Sequence, residues 1–203
     1  MEKFEDKEPS IADSTDEEVF QKYVDDLRLS PEDFDKKILD MGAGIGQFSK
    51  WAREHRVSSQ IYSMDKSTEF LQGENAVAGK AETLPFTDNS FDLVVSDAAI
   101  PHTYMGEGDP GEVEEKVALS LNEAVRVLKP GGEIRLAGVL MGDLYENQKI
   151  LTRSIQAALD RLKENGVQVI LEHTPSGDTY EYDGHVKKNL LAKAYLVTIK
   201  KPN

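Results

Sequence analysis

Three glycines at alternate positions, Gly42, Gly44 and Gly46, follow an aspartate in the run Asp40-Met41-Gly42-Ala43-Gly44-Ile45-Gly46-Gln47-Phe48. Without Cβ atoms they let the chain turn sharply and pass close to a ligand. The apolar run Lys37-Ile38-Leu39-Asp40-Met41 ahead of them reads as a strand, and a helix is predicted from about Gly46 to His55. The free N–H groups and positive end of that helix suit an anionic ligand group. Asp65 lies 19 positions past Gly46, as the last residue of a second predicted strand, Ile61-Tyr62-Ser63-Met64-Asp65. A carboxylate there can accept hydrogen bonds from both ribose hydroxyls of an adenosine. The spacing separates two cofactor classes. The dinucleotide pattern is GxGxxG, but position 47 is glutamine. The third glycine of that pattern is absent, so an adenosine cofactor other than a dinucleotide is expected.

A second group of reactive residues follows the predicted strand Phe91-Asp92-Leu93-Val94-Val95-Ser96, in Ser96-Asp97-Ala98-Ala99-Ile100-Pro101-His102-Thr103-Tyr104. His102 is the only histidine at such a strand end. Near neutrality it can accept a proton from a hydroxyl or an acidic carbon. Bracing the pocket or touching substrate is the competing role, and the sequence leaves the two open. His55 sits at a predicted helix end. His173 and His185 flank a polar hairpin-like segment from Thr174 to Gly184. The histidines are scattered and lack ligand spacing, so no metal site is expected.

The elements that must position these residues alternate. A capping box, Thr15 with Glu18, opens a helix with Val19, Phe20, Tyr23, Val24 and Leu27 on one face. Ser30-Pro31-Glu32-Asp33 marks another helical start. A short helix around Ser67 to Glu74 and a third strand from Asn75 to Gly79 follow. Val113, Val117, Leu121, Val125 and Leu128 recur at helical steps, and Lys129-Pro130-Gly131-Gly132 ends that helix. A fifth strand runs from Glu133 to Leu140, and a helix from about Asp143 to Glu164 turns Leu151, Ile155, Leu159 and Leu162 inward. Strands at Val167–Leu171 and Ala192–Lys200 close the order. Alternation of this kind means a mainly parallel sheet covered on both faces. Seven strands are expected, the first five parallel and the last antiparallel. Ligands then sit beyond the carboxyl ends of the strands.

The 203 residues carry 24 bases and 37 acids, a net charge of −13. Such a field repels a phosphate backbone, which argues against nucleic acid as a partner. Residues 1–36 hold 13 acids against 5 bases, whereas residues 187–201 hold five lysines and no acid. There is no cysteine, which excludes disulfides, thiolate metal sites and cysteine nucleophiles and fits a reducing compartment. No apolar run approaches membrane-helix length, and Met1–Ser10 is too acidic for a secretory or mitochondrial leader. A cytoplasmic protein is expected, with residues 1–34 as an acidic arm and lid helix and residues 35–203 as the cofactor-binding domain.

Four stretches carry a resemblance: Ile38–Gly46, Tyr62–Asp65, Ala81-Glu82-Thr83-Leu84-Pro85-Phe86 through Phe91–Ser96, and Glu123-Ala124-Val125-Arg126-Val127-Leu128-Lys129-Pro130-Gly131-Gly132. On these residues the chain resembles a class I S-adenosylmethionine-dependent methyltransferase of the small ubiquinone and sterol type. The resemblance implies a Rossmann-like fold, S-adenosylmethionine as cofactor and S-adenosylhomocysteine as product. By the same resemblance Gly42, Ala43, Gly44 and Gly46 hold the methionine part, and Asp40 orients the loop or meets the ammonium. Asp65 takes the ribose, with Met64 or Lys66 near adenine. Ala81 and Glu82 match the adenine-reading step, although Lys80 stands where an aspartate is often found. Ser96 and Asp97 fall where the methionine end and the transferable methyl lie. The segment after Ser96 lacks the Asn-Pro-Pro-Tyr motif of enzymes acting on amide or base nitrogens, and His102 matches the second histidine of an Asn-x-x-Leu-His-His stretch. Tyr104 and Met105 are expected to line the acceptor pocket with Met141 and Tyr145, and with Phe20 and Tyr23 from the first helix. An apolar or cationic acceptor suits that lining. Tyr180-Glu181-Tyr182-Asp183 is a further acidic and aromatic candidate for touching an amine. A small-molecule acceptor is the leading expectation, with protein methylation and a non-catalytic cofactor-binding regulator as alternatives.

Overall fold

A computed structural model describes residues 14–67, 73–183 and 186–203, without the side chains of residues 181–188. The predicted helix over 67–74 and the N-terminal tail up to residue 13 therefore fall mostly or wholly outside the described residues, as does His185.

The strands are β1 (Ile38–Met41), β2 (Ile61–Asp65), β3 (Ala76–Ala78), β4 (Phe91–Asp97), β5 (Leu128–Gly142), β6 (Gln168–His173), β7 (Thr179–Asp183) and β8 (Val186–Lys200). The helices are α1 (Asp16–Asp26), α2 (Gln47–Glu54), α3 (Pro110–Val127) and α4 (Glu146–Glu164). The sheet runs β3-β2-β1-β4-β5-β8-β6, and β7 pairs with β8 off that path. The first five strands pair in parallel, and β8 runs antiparallel between β5 and β6. The expected seven strands become eight among the described residues. The addition, Thr179-Tyr180-Glu181-Tyr182-Asp183, reads as polar loop decoration, but β8 starts at Val186 rather than Ala192 and the longer strand gives it a partner. β8 is also interior, so the outer strand on that side is β6.

The sheet's two faces are covered by separate cores. Leu39, Met41, Val94, Ile134 and Leu136 pack against α3 and α4 through Val117, Leu121, Leu151 and Ile155. Ile38, Leu93, Val95 and Leu196 pack against α1 and α2 through Phe20, Tyr23, Leu27 and Phe48. The alternation of facing residues along each strand follows from its two-residue period. The Thr15–Glu18 capping box forms at the start of α1, with Thr15 N donating to Glu18 Oε2 at 2.8 Å and Glu18 N donating to Thr15 Oγ1 at 3.2 Å. Ser30-Pro31 opens a 3-10 turn, Pro31–Asp35. The Lys129-Pro130-Gly131-Gly132 run does end α3, but β5 begins at once, at Leu128. Its pairing with β4 shifts between Phe91 and Leu93, which absorbs the extra residues.

Order along the sheet reverses between β1 and β4, both of which lie beside each other while their onward connections run to opposite sides. The loops after these two strands therefore diverge and leave a crevice at their carboxyl ends. The alternating glycines and the segment from Asp97 to Tyr104 meet there.

Candidate active site

The glycine loop is fixed by its own backbone. Gly42 N and Ala43 N both donate to Met64 O at the end of β2, at 2.9 and 3.1 Å. Gly42 has φ +80°, and a Cβ built on it would stand 2.3 Å from Ala99 Cβ. Only glycine admits that approach of the two loops. Gly44 N donates to Asp65 Oδ2 at 2.9 Å, and Ser67 N donates to Asp65 Oδ1 at 2.9 Å. Each carboxylate oxygen has a second lone pair for a further donor. Gly46, also at positive φ, is the N-cap of α2 and shapes the loop without lining a cavity.

Two cavities of about 450 and 460 Å³ flank this loop and share Gly42. The first is lined by Met64, Asp65, Lys66, Ala81 and Glu82 on one side, and by Ile100, His102 and Tyr104 on the other. The second lies under α1, between Val19, Lys22 and Tyr23 and the residues Ala43, Gly44, Gln47 and Asp97.

The loop bearing Ala81 and Glu82 is held from α3. Leu84 N donates to Glu123 Oε2 at 2.8 Å, while Arg126 donates to Leu84 O at 3.1 Å, Phe86 O at 2.9 Å and Asp88 at 2.7 Å. Glu123 and Arg126 also pair with each other. Two stretches that carried the resemblance, 40 residues apart, are thus one hydrogen-bonded unit.

Two buried carboxylates lie close to the glycine loop, of which Asp97 lines the second cavity and Asp40 does not. Asp40 is fully buried, with Tyr23 Oη donating to Oδ1 at 3.3 Å and Oδ2 without a partner. Burial and the nearby charge of Asp97 push its carboxyl well above the ordinary value, against the opposing Tyr23 bond. Burial likewise raises Tyr23, helped by Asp40. Asp97 meets the Lys22 ammonium through Oδ2, while its Oδ1 is buried and unpartnered. Burial raises Asp97, and Lys22 opposes the rise. Lys22 lies outside the residues expected from the sequence. The only sequence signal for it is a position three residues after Val19, at the edge of the inward face of α1.

His102 occupies a 3-10 turn, His102–Tyr104, and its Nε2 lies 3.0 Å from Gly138 O and 3.3 Å from Leu140 N. Leu140 N–H points at the same nitrogen, and the two contacts exclude each other; we assign the shorter as donation from Nε2–H to Gly138, which leaves Nδ1 as the unprotonated nitrogen. A bulge makes this contact available. Between Leu136–Val197 and Val139–Tyr195 two β5 residues face one β8 residue, and Gly138 takes φ +66°. Burial holds His102 below its ordinary pKa, against the bond to Gly138. Tyr104 is buried with its hydroxyl 2.5 Å from Ser120 Oγ, and burial raises it above the ordinary phenol value.

Other expected site residues lie elsewhere. Ser96 is fully buried and lines neither cavity; its Oγ accepts from Ile100 N at 3.1 Å and closes the loop after β4. Phe20 is not at the cleft but stacks on Trp51 at 4.1 Å and Phe48 at 5.6 Å, because the inward face of α1 is filled by α2. Met105 and Tyr145 touch each other, Tyr145 Oη donating to Met105 Sδ at 3.2 Å, outside both linings. Met141 is half-buried against the α3–α4 core. Lys116 and Glu107, absent from the sequence expectations, line the first cavity. Among the described residues no cluster of histidine and carboxylate side chains could hold a metal, and no helix is long and apolar enough to cross a membrane. The side chains of Glu181, Tyr182 and Asp183 lie outside the described residues.

Comparison with known proteins agrees with this geometry. Residues 39–136 match the family model of a methyltransferase domain. In structure the chain has the Rossmann-like α/β fold of the class I methyltransferases. The chain is similar to a sterol 24-C-methyltransferase of Neurospora crassa, 32% identical over 138 residues, covering 62% of this chain and 34% of that protein. A malonyl-[acyl-carrier protein] O-methyltransferase of Erwinia billingiae is 30% identical over 118 residues, 55% of this chain and 42% of that protein. The chain thus spans less than half the length of these curated relatives. The YcgJ protein of Bacillus subtilis shares the fold with a TM-score of 0.57 at 17% identity, covering 88% of this chain and 99% of that one.

Proposed function

We propose that this protein binds S-adenosylmethionine and transfers its methyl group to a small-molecule acceptor. The observation that carries the reading is the pair of unpartnered buried oxygens, Asp40 Oδ2 and Asp97 Oδ1, beside the glycine loop. Buried carboxylate oxygens without donors are costly, and a positive charge in the second cavity, which Asp97 lines, favours the ionised form of both. When bound, the sulfonium of the cofactor supplies an already activated methyl group, so positioning carries much of the rate. Asp65 offers its remaining lone pairs to the ribose, and Met64, Ala81 and Ile100 give the base an apolar seat. Glu123 and Arg126 hold the adenine-side loop in place through their bonds to Leu84 and Phe86. Asp97 faces the positive charge from the wall of the second cavity, with Asp40 buried behind it. His102, kept neutral by burial, holds Nδ1 ready to take the acceptor's proton. Tyr104 and Thr103 lie beside it in the same cavity. The relatives methylate a sterol and a carrier-bound malonyl group, which favours a small acceptor over a protein or nucleic acid here. A cytoplasmic place of work suits a chain without cysteine.

Calorimetric titration tests the reading. S-adenosylhomocysteine should bind saturably and a nicotinamide dinucleotide should not. Asp65→Ala should weaken the binding by about 1.5–3 kcal/mol, the worth of a hydrogen bond to a charged group. Transfer of label from methyl-labelled cofactor to one member of an acceptor panel would then identify the substrate. Saturable dinucleotide binding with no response to the adenosyl compound would reverse the assignment.

A further inference from the structure

The end of α2 carries two arginines that no other part of the described structure engages. Arg28, Arg126, Arg135 and Arg161 each meet a carboxylate. The guanidinium groups of Arg53 and Arg56 make no hydrogen bond or ion pair with any described residue. They stand three positions apart, the spacing at which like charges on a helix repel. Arg56 also takes φ +59°. It is the left-handed residue of a Schellman closure, with Arg56 N donating to Arg53 O at 3.1 Å and Val57 N to Ala52 O at 2.8 Å. Glycine is the usual residue there, because a Cβ is disfavoured at positive φ. The position gives up backbone ease and sets one charge near a like charge.

Both arginines line a cavity of about 430 Å³ with Asp35, Ser58, Ser59 and Gln60. Ser58 is buried; its Oγ accepts from Gln60 N at 3.2 Å, and its O–H has no acceptor among the described residues. Gln60 Nε2 spends one N–H on Asp35 O at 3.4 Å and keeps the other. Asp35 is the one acid among the described residues of the lining, so two cations outweigh it, in a chain whose net charge is −13. Spare donors and a positive balance in one recess fit a carboxylate or phosphate head group. Phe34 and Val57 belong to this lining and also to that of a neighbouring cavity of about 410 Å³, where they join Phe20, Val24, Leu29 and Trp51. Trp51 is held by stacking on Phe20 at 4.1 Å and on His55 at 4.0 Å. One groove therefore runs from aromatic and aliphatic walls to a cationic end. A bare anion would leave the apolar stretch uncovered, and an uncharged hydrocarbon would leave the arginines unanswered. A lipid surface presents many head groups in a plane, whereas this recess suits one chain, and the net charge of −13 repels anionic lipid.

We propose that this groove binds a single amphipathic anion, an apolar chain ending in a carboxylate or phosphate, with the chain against Trp51 and Val57 and the head on Arg53, Arg56 and Ser58. The site stands apart from the cofactor reading, since none of its residues lines either cavity at the glycine loop. α1 is the element common to both regions: Val19, Lys22 and Tyr23 line the cavity beneath it, and Phe20 and Val24 line the groove.

Trp51 is the only tryptophan in the chain, so its emission reports on the groove directly. The test is fluorescence titration of the full chain with decanoate and decyl phosphate, with decanol as the uncharged chain, acetate as the bare head, and neutral and anionic phospholipid vesicles as the lipid surface. Decanoate or decyl phosphate should give a saturable change and bind at least about tenfold more tightly than decanol, the worth of one charge-assisted hydrogen bond. Arg53→Gln combined with Arg56→Gly should weaken the anions by about 10–100-fold and leave decanol within about threefold of wild type. Arg56→Gly alone should raise the urea midpoint, because glycine suits the left-handed position, so weaker binding by that variant cannot come from a weaker fold. Val57→Asp, at an exposed position, should weaken the anions and decanol together. Absence of a saturable response to both anions would overturn the proposal. So would equal weakening of the anions and decanol by the arginine variants, which would mark Arg53 and Arg56 as surface charges only. A response to anionic vesicles without one to the free anions would assign the groove to a lipid surface and overturn it as well.

Discussion

His102 shows how much of a side chain's chemistry is settled by backbone that the sequence does not mark. Its identity and its place after β4 were legible, because reactive residues in a parallel sheet follow strand ends. The tautomer was not, since it depends on a carbonyl freed by a bulge 36 residues away. With Nε2 donating to Gly138 and burial disfavouring the cation, the neutral ring is the resting form. In the proposed role of general base, His102 gives a rate that falls as pH drops through its pKa. Because that pKa lies below the ordinary 6.5, the acid limb should lie below it as well. His102→Ala should lower single-turnover rate by roughly 10²–10⁴-fold, abolish that limb and leave S-adenosylhomocysteine affinity unchanged. Single-turnover rates against pH, with saturating cofactor and an identified acceptor, check this. A variant with wild-type rate and profile would leave His102 as a brace for β5.

At the scale of elements, the joint between the N-terminal segment and the sheet rests on one enclosed ion pair. Asp33 and Arg135 have side chains 3% and 14% exposed, and Arg135 Nη1 donates to Asp33 Oδ2 at 2.9 Å. The same guanidinium donates to Arg28 O at 3.0 Å and Leu27 O at 3.3 Å, so β5 grips the end of α1 as well as the 3-10 turn. Burial alone would raise the Asp33 carboxyl, but Lys36, the Ser30 N–H and Arg135 pull it down to about 2. A depressed acid of this kind stabilises the fold above its unfolded value of 3.8, and the contribution is lost as pH falls from there through about 2. Asp33→Ala removes one acceptor of the Arg135 guanidinium, which keeps Glu133 as its ion-pair partner, and should cost about 1.5–3 kcal/mol, read as a lowered urea midpoint with unchanged slope. In sequence Asp33 is visible only as part of a Ser-Pro-Glu-Asp start signal. Its partner lies 102 residues on, and no local pattern announces it. The helices read differently: Leu151, Ile155, Leu159 and Leu162 are all buried, as their spacing requires. Periodicity reports which face goes inward, but not which charge on that face's edge finds a distant mate.

Across the whole molecule the same division holds. Strand order, the glycine loop and Asp65 are local features repeated at element ends, and the sequence displays them. The residues that join the two sides of the cleft come from separate elements, and only the closed sheet brings them together. Glu107, in the loop before α3, is such a residue. It receives Lys66, just past β2, at 2.9 Å and Lys116, on α3, at 3.4 Å. All three line the first cavity, so this charged strap joins the segment after β2 to α3 at one opening. Its consequence concerns residence time. Exposed pairs of this kind hold weakly and are screened over about 10 Å at 0.1 M salt. Release of S-adenosylhomocysteine, followed by stopped-flow displacement, should therefore quicken as ionic strength rises. Glu107→Gln should release it fast at every salt concentration. On the cofactor reading proposed above, such a strap sets turnover partly by the ions around it, since the spent cofactor leaves past a contact that dissolved salt loosens.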